Sequence, residues 1–175
     1  MHKKSILIVV VIAVLGLLSY LGFNVISKAK EKNKIAKQLE KIPGFEFLTL
    51  EQKPFTKANL KPNLNTIFVY FNSECDFCQL EAQSISDNLE KFKNVQFIFV
   101  STEPIETIKQ FLEQYNLNNQ DNITFLYDND NTFSNRFDAS SIPYILIYNS
   151  KQSLIKKHKG QLNANGILRA LQQND

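Results

Sequence analysis

Cys75 and Cys78 are the only cysteines in the 175-residue chain, and two residues separate them in the stretch SECDFCQLEA. That spacing fits a structural staple, half of a zinc site, or a redox pair that opens and closes a disulfide. Zinc needs four ligands, and the chain adds only His2 and His158, far apart in sequence. Covalent haem attachment needs a His directly after the second Cys, where Gln79 stands. A staple across so short a loop removes little entropy from the unfolded chain. Redox use is the reading that survives.

A redox pair of this kind needs a strand before it and a helix after it. Thr66 to Phe71 (TIFVYF) is a continuous apolar run, as a buried central strand would be. Cys78, Ala82, Ile85, Leu89 and Phe92 then recur at helical spacing and form one apolar stripe. At a helix N-terminus, unpaired N–H groups and a partial positive charge favour the thiolate, the species that attacks disulfides. Cys75 is therefore the expected nucleophile. Cys78, about one turn deeper on the buried stripe, is the expected resolving thiol. Phe77 and Phe71 are expected to rim the site. Glu74 and Asp76 place like charge beside Cys75 and partly offset the helix effect, which points to a reducing pair.

The elements that must hold this pair can be read in order. Phe45–Leu50 and Pro54–Thr56 read as a hairpin, and Val95–Val100 as a second buried strand. Ile105–Tyr115 has helical periodicity and Ile123–Tyr127 is strand-like. Thr132–Phe137 is a short helix or turn, and Tyr144–Tyr148 pairs with Leu154–Lys159 through Asn149-Ser150-Lys151. Asn163–Gln172 closes the chain as a helix. Alternating strands and helices followed by a late hairpin predict an α/β domain over residues 43–175, with a mixed central sheet and helices on both faces.

Ahead of that domain, Ser5 to Ser27 carries no charge. As a helix it would rise about 34 Å, enough to cross a hydrocarbon core of about 30 Å. Tyr20 and Phe23 fall where aromatic anchors sit. No A-x-A-like cleavage site follows, so an uncleaved anchor is expected rather than a signal peptide. The expected division is a cytoplasmic stub (1–4), a transmembrane anchor (5–27), a charged stalk helix (28–42) ended by Pro43-Gly44, and the domain (43–175). His2, Lys3 and Lys4 favour a cytoplasmic N-terminus, while the lysines from Lys28 to Lys41 argue the other way, so the domain's chemistry must orient it. A formal charge of +3, concentrated in that stalk, asks for no nucleic-acid partner.

Three segments, TIFVYFNSECDFC, FDASSIPYILIYN and GFEFLTLEQKPF, resemble the thioredoxin superfamily, and within it the membrane-anchored ResA/TlpA-like thiol–disulfide oxidoreductases. The likeness covers Phe45 to about Leu171. It implies a thioredoxin-like fold with an N-terminal β-hairpin and an inserted helix–strand unit, Ile105 to Tyr127, preceded by one transmembrane helix. It also implies that Ile142-Pro143 is cis and faces the cysteines, with Pro143 freeing neighbouring backbone to dock substrate and Ile142 and Phe77 contacting it. The chain departs from the pattern at two places. Glu74 replaces the usual tryptophan, and Val69 stands where thioredoxins often carry a buried Asp, the proton acceptor for the second thiol. Glu74 is then a candidate for tuning the site by adjacency alone, beside its plainer reading as a solvated carboxylate.

The function expected is a disulfide reductase anchored in the bacterial cytoplasmic membrane with its domain outside the cytoplasm, in the periplasm. A chain without stray cysteines suits that compartment. By resemblance its clients are disulfide-containing proteins, apocytochromes c among them, and a membrane thiol donor recharges it. No cofactor or metal is expected. Two alternatives remain. A peroxiredoxin-like peroxidase would want Thr or Ser at Asn72 and Pro at Phe68. A Sco-like copper chaperone would space its cysteines by three residues and add a nearby His.

Overall fold

The uninterrupted apolar runs become the middle of a seven-stranded sheet of order β2-β1-β5-β4-β3-β6-β7. Its strands are β1 (Glu46–Thr49), β2 (Pro54–Thr56), β3 (Asn65–Tyr70), β4 (Val95–Ser101), β5 (Ile123–Tyr127), β6 (Tyr144–Tyr148) and β7 (Leu154–Lys159). β5, β4 and β3 run parallel, while β1 joins β5, and β6 joins β3, antiparallel. This computed structural model describes residues 2–172, with side chains at residue 16 and residues 18–172. The chain divides into two units, Met1–Gln38 and Leu39–Asp175.

The helices are α1 (His2–Leu39), α2 (Asp76–Ser86), α3 (Ile105–Gln114), α4 (Phe133–Arg136) and α5 (Ala164–Gln172). The crossovers β3–α2–β4 and β4–α3–β5 step in the same direction across the sheet. The right-handed rule therefore places α2 and α3 on one face. There Cys78, Ala82 and Ile85 of α2, Ile108 and Phe111 of α3, and Ile167 of α5 pack on Ile67, Val69 and Phe71. The alternate residues of β3, Phe68 and Tyr70, face the other way, into an aromatic cluster built on α4. Phe133 stacks on Phe137 at 4.4 Å and on Tyr70 at 4.8 Å, and Phe68 lies 5.0 Å from Phe137. Among the described residues of the Leu39–Asp175 unit, helices cover both faces, α2, α3 and α5 on one and the single turn of α4 on the other.

Two boundaries differ from the sequence reading. The helix after Cys75 was expected to run to Phe92, but α2 ends at Ser86, and Leu89–Lys91 is a separate 3₁₀ turn. Asp87 and Asn88 are weak helix formers whose side chains bond backwards. Gln83 Nε2 donates to Asp87 Oδ1 at 2.7 Å, and Asn88 Nδ2 donates to the Ser84 carbonyl at 2.8 Å. Phe92 is still fully buried. The stalk helix was expected to stop at Pro43-Gly44. α1 stops earlier, at Leu39. Residues 40–42 add to the sheet edge, with Leu154 N donating to Glu40 O at 3.0 Å and Ile42 N to Gln152 O at 3.3 Å. Among the described residues no helix is long and apolar enough to cross a membrane. Of the span expected over Ser5 to Ser27, the side chains of residues 5–15 and 17 lie outside the described ones.

Candidate redox site

The sharp step from β3 into α2 is held by a small network. Asn72 O accepts from Cys75 N at 3.2 Å, and Asn72 Oδ1 accepts from Glu74 N at 2.9 Å. Gln79 Nε2 reaches back to Ser73 O at 2.8 Å. Ser73 is also fastened to the next loop, because the Glu103 carboxylate accepts its N–H at 2.7 Å and its hydroxyl at 2.6 Å. Ser101 Oγ gives that carboxylate a third hydrogen bond at 3.1 Å. Glu103 thus binds the cysteine loop to the end of β4, and sequence reading did not single it out.

Cys75 is the N-cap of α2, half-buried, and its carbonyl accepts from Cys78 N at 2.9 Å and Gln79 N at 3.0 Å. Its Sγ lies 3.9 Å from the Ile142 carbonyl, the thiol being the donor. The Ile142–Pro143 peptide is cis and opens β6 beside the cysteines. A groove of about 430 Å³ runs past it, lined by Tyr70, Ala139, Ser140, Ser141 and Ile142. Phe77 and Ile142 stand exposed around Cys75, at 60% and 41%. Phe71 does not join this rim. It is 2% exposed and packs on Phe111 at 4.7 Å, because as the residue just after β3 it continues the core face of the strand. Glu74 lies on the surface.

Cys78 is 2% exposed, one turn deeper on α2. Both thiols are free. Burial pushes the Cys78 thiol far up from its ordinary value. The Asn72 backbone N–H opposes this, while hydrogen bonding and charge at Cys75, and charge at Glu81, add to it.

Glu81 is the residue that the sequence reading missed. It is fully buried, and neither carboxyl oxygen has a hydrogen-bond partner. At i+3 from Cys78 it occupies the same helical face. Desolvation holds its carboxyl well above the usual range, and charge at Cys75 reinforces this. The Leu162 backbone N–H opposes the shift without reaching hydrogen-bond geometry. Val69 is 1% exposed and packs in the core. A buried acid therefore does stand behind the pair, carried by the helix and not by the strand. The signal was available in SECDFCQLEA: an acidic residue inside an apolar helical stripe.

Residues 39–165, most of the chain, match the AhpC/TSA family model. The chain belongs to that family. Solved structures agree on a thioredoxin-like fold. A secreted disulfide oxidoreductase of Mycobacterium tuberculosis, homologous to E. coli DsbE, is 23% identical with TM-score 0.62, over 78% of this chain and 98% of that one. StoA from Bacillus subtilis is 16% identical with TM-score 0.59, over 75% and 98%. The thioredoxin domain of a thiol-disulfide oxidoreductase from Bacteroides vulgatus is 16% identical with TM-score 0.62, over 77% and 95%. No curated protein matches the sequence. With this family and these adjoining thiols, the AhpC/TSA chain is an oxidoreductase of the thioredoxin-like type.

Proposed function

We propose that this AhpC/TSA protein is a membrane-anchored, extracytoplasmic reductase of client-protein disulfides, acting through Cys75 and Cys78. One observation carries the reading: a half-exposed thiol at a helix N-terminus backed, one turn deeper, by a buried thiol beside an unpaired carboxyl.

The steps follow from those placements. The Cys75 thiolate attacks one sulfur of a client disulfide, the client S–S bond breaks, and the released thiolate takes a proton from water. Ile142 and Phe77 contact the client beside the new bond, and Pro143 leaves neighbouring backbone free to dock its chain. Cys75 is now a neutral disulfide sulfur, so burial still raises Cys78 and Glu81 but the added push from charge at Cys75 is gone. Glu81 first releases its own proton to solvent, and the carboxylate so formed takes the Cys78 proton as Cys78 attacks Cys75. The second client sulfur leaves and is protonated. The client has gained two electrons and two protons, and the protein holds a Cys75–Cys78 disulfide. A dithiol donor in the membrane returns the electrons.

Anchoring is supported by Leu18, Tyr20, Leu21, Phe23, Val25 and Ile26, large apolar side chains left exposed along α1. Such a stretch calls for apolar cover. The peroxidase alternative finds less support. Phe68 packs in the α4 cluster and Asn72 Oδ1 is engaged by Glu74 N, so the positions where that chemistry wants Pro and a hydroxyl hold residues with other roles.

The test is Cys78→Ala in cells followed by identification of proteins bound to Cys75. Mixed disulfides should accumulate. Their absence in an expressed, folded variant overturns the exchange mechanism.

A further inference from the structure

Resting on that reading, the surroundings of the attacking sulfur define what kind of client segment it meets. In the Leu39–Asp175 unit, the exposed large apolar side chains among the described residues are Phe77, Leu80 and Ile142. Phe77, at the start of α2, and Ile142, at the cis bond, flank Cys75, while Leu80 lies one turn further along α2. The charge in the same ring has one sign. Glu74 and Asp76 bracket Cys75 in sequence and both are exposed. The Glu103 carboxylate, bound to Ser73, lies behind the same loop.

The cations of this end of the sheet stand elsewhere. Lys157 is paired with Asp138 at 2.8 Å. Lys159 is paired in register with Tyr144, which is itself opposite Tyr70 of β3. That puts Lys159 two strand spacings, about 10 Å, from the strand that leads to Cys75. It also shares the sheet face of Tyr144 and Tyr70, opposite the one on which α2 packs.

We infer that the clients of Cys75 present their disulfide in a cationic segment, with Lys or Arg within a residue or two of the cysteine attacked. A client sulfur bonded to Cys75 brings its flanking side chains within several ångströms of Glu74 and Asp76. At about 7 Å in water, one unit-charge pair multiplies an encounter roughly threefold, and two carboxylates multiply it by up to about tenfold. The effect falls as salt shortens the screening length to about 3 Å at 1 M. Anionic segments are disfavoured by the same factor, so the ring selects as well as attracts.

Small disulfides of defined charge test this on the reduced full-length protein: cystamine (cationic), bis(2-hydroxyethyl) disulfide (neutral) and dithiodipropionate (anionic). The quantity read is the ratio of cystamine to dithiodipropionate rate constants in the parent, divided by that ratio in an E74Q/D76N variant. Intrinsic differences between the reagents cancel, and the neutral reagent reports the thiol's own reactivity. At low salt the quotient should exceed about tenfold, and it should collapse toward one near 1 M salt. A quotient near one at low salt, or one that ignores salt, overturns the inference while leaving the reductase reading standing. A folded parent with free thiols that reacts with none of the three reagents overturns the reductase reading, and the inference with it.

Discussion

Replacing Glu81 with Gln separates the proton-acceptor role from packing, because the amide keeps the shape and removes the titration. In the folded chain the carboxyl is fully buried and its oxygens accept nothing, so desolvation raises it well above the ordinary value of 4.5. Over the interval between 4.5 and the raised value, the folded state keeps a proton that the unfolded state has released. Stability therefore falls as pH rises through that interval, by about 1.4 kcal/mol per pH unit for one proton. It is fully present below the interval and its loss is complete above it. Glu81→Gln removes this slope. A buried unpaired amide costs free energy too, but equally at every pH, so it changes the offset and not the slope. Denaturant unfolding of reduced parent and variant from about pH 5 to 8 should give curves that diverge with pH, the variant gaining. In the same variant, single-turnover reduction of a peptide disulfide should form the mixed disulfide on Cys75 at close to the parent rate. Its resolution by Cys78 should slow by about a hundredfold or more, the usual range for losing a positioned base. Parallel stability curves together with unchanged resolution would show that Glu81 neither titrates against folding nor takes the Cys78 proton.

Two further substitutions probe how the site is held. Glu103→Ala leaves the Ser73 N–H and hydroxyl without their acceptor and should cost about 1–3 kcal/mol by chemical unfolding. Glu103→Gln should recover part of this, since one amide oxygen can still accept the N–H; an alanine variant as stable as the parent refutes the clamp. Phe133→Ala removes the fully buried ring on which Tyr70, Phe47, Phe68 and Phe137 converge and should cost about 3–5 kcal/mol. A loss below about 1 kcal/mol would mean that α4 is not held by its aromatic cluster.

What could be read from the sequence was whatever rests on local pattern. Apolar runs gave β3, β4 and β6 to within a residue or so, and the stripe from Cys78 placed α2 and the deeper thiol. What escaped depends on contacts between distant segments. Glu103 sits in Ser-Thr-Glu-Pro, which reads as an ordinary loop ahead of α3; its partner Ser73 is 30 residues away. Phe71 was misplaced because adjacency to the cysteines suggested a rim, while strand alternation, carried one residue further, sends it into the core with Phe99 and Phe125. Leu39 ends α1 for a reason that lies in the β6–β7 turn, where Gln152 and Leu154 recruit residues 40–42.

Moving the buried acid from strand to helix changes how its distance to the sulfur is controlled. A carboxyl at position 69 would approach Cys78 only as closely as α2 docks on β3. Glu81 rides on the helix that also carries Cys78, so the helical repeat sets the separation, and small shifts of α2 leave it unchanged. What docking must still supply is dryness, since an exposed glutamate would return to its ordinary acidity and be a poorer match for a buried thiol. That seal comes from α5. Ala164 N donates to Ser84 Oγ at 3.0 Å, three residues along α2 from Glu81, and the chain leading into α5 brings the Leu162 backbone against the carboxyl. The terminal helix, which contributes no atom to the exchange itself, thereby decides how readily the acceptor takes up its proton.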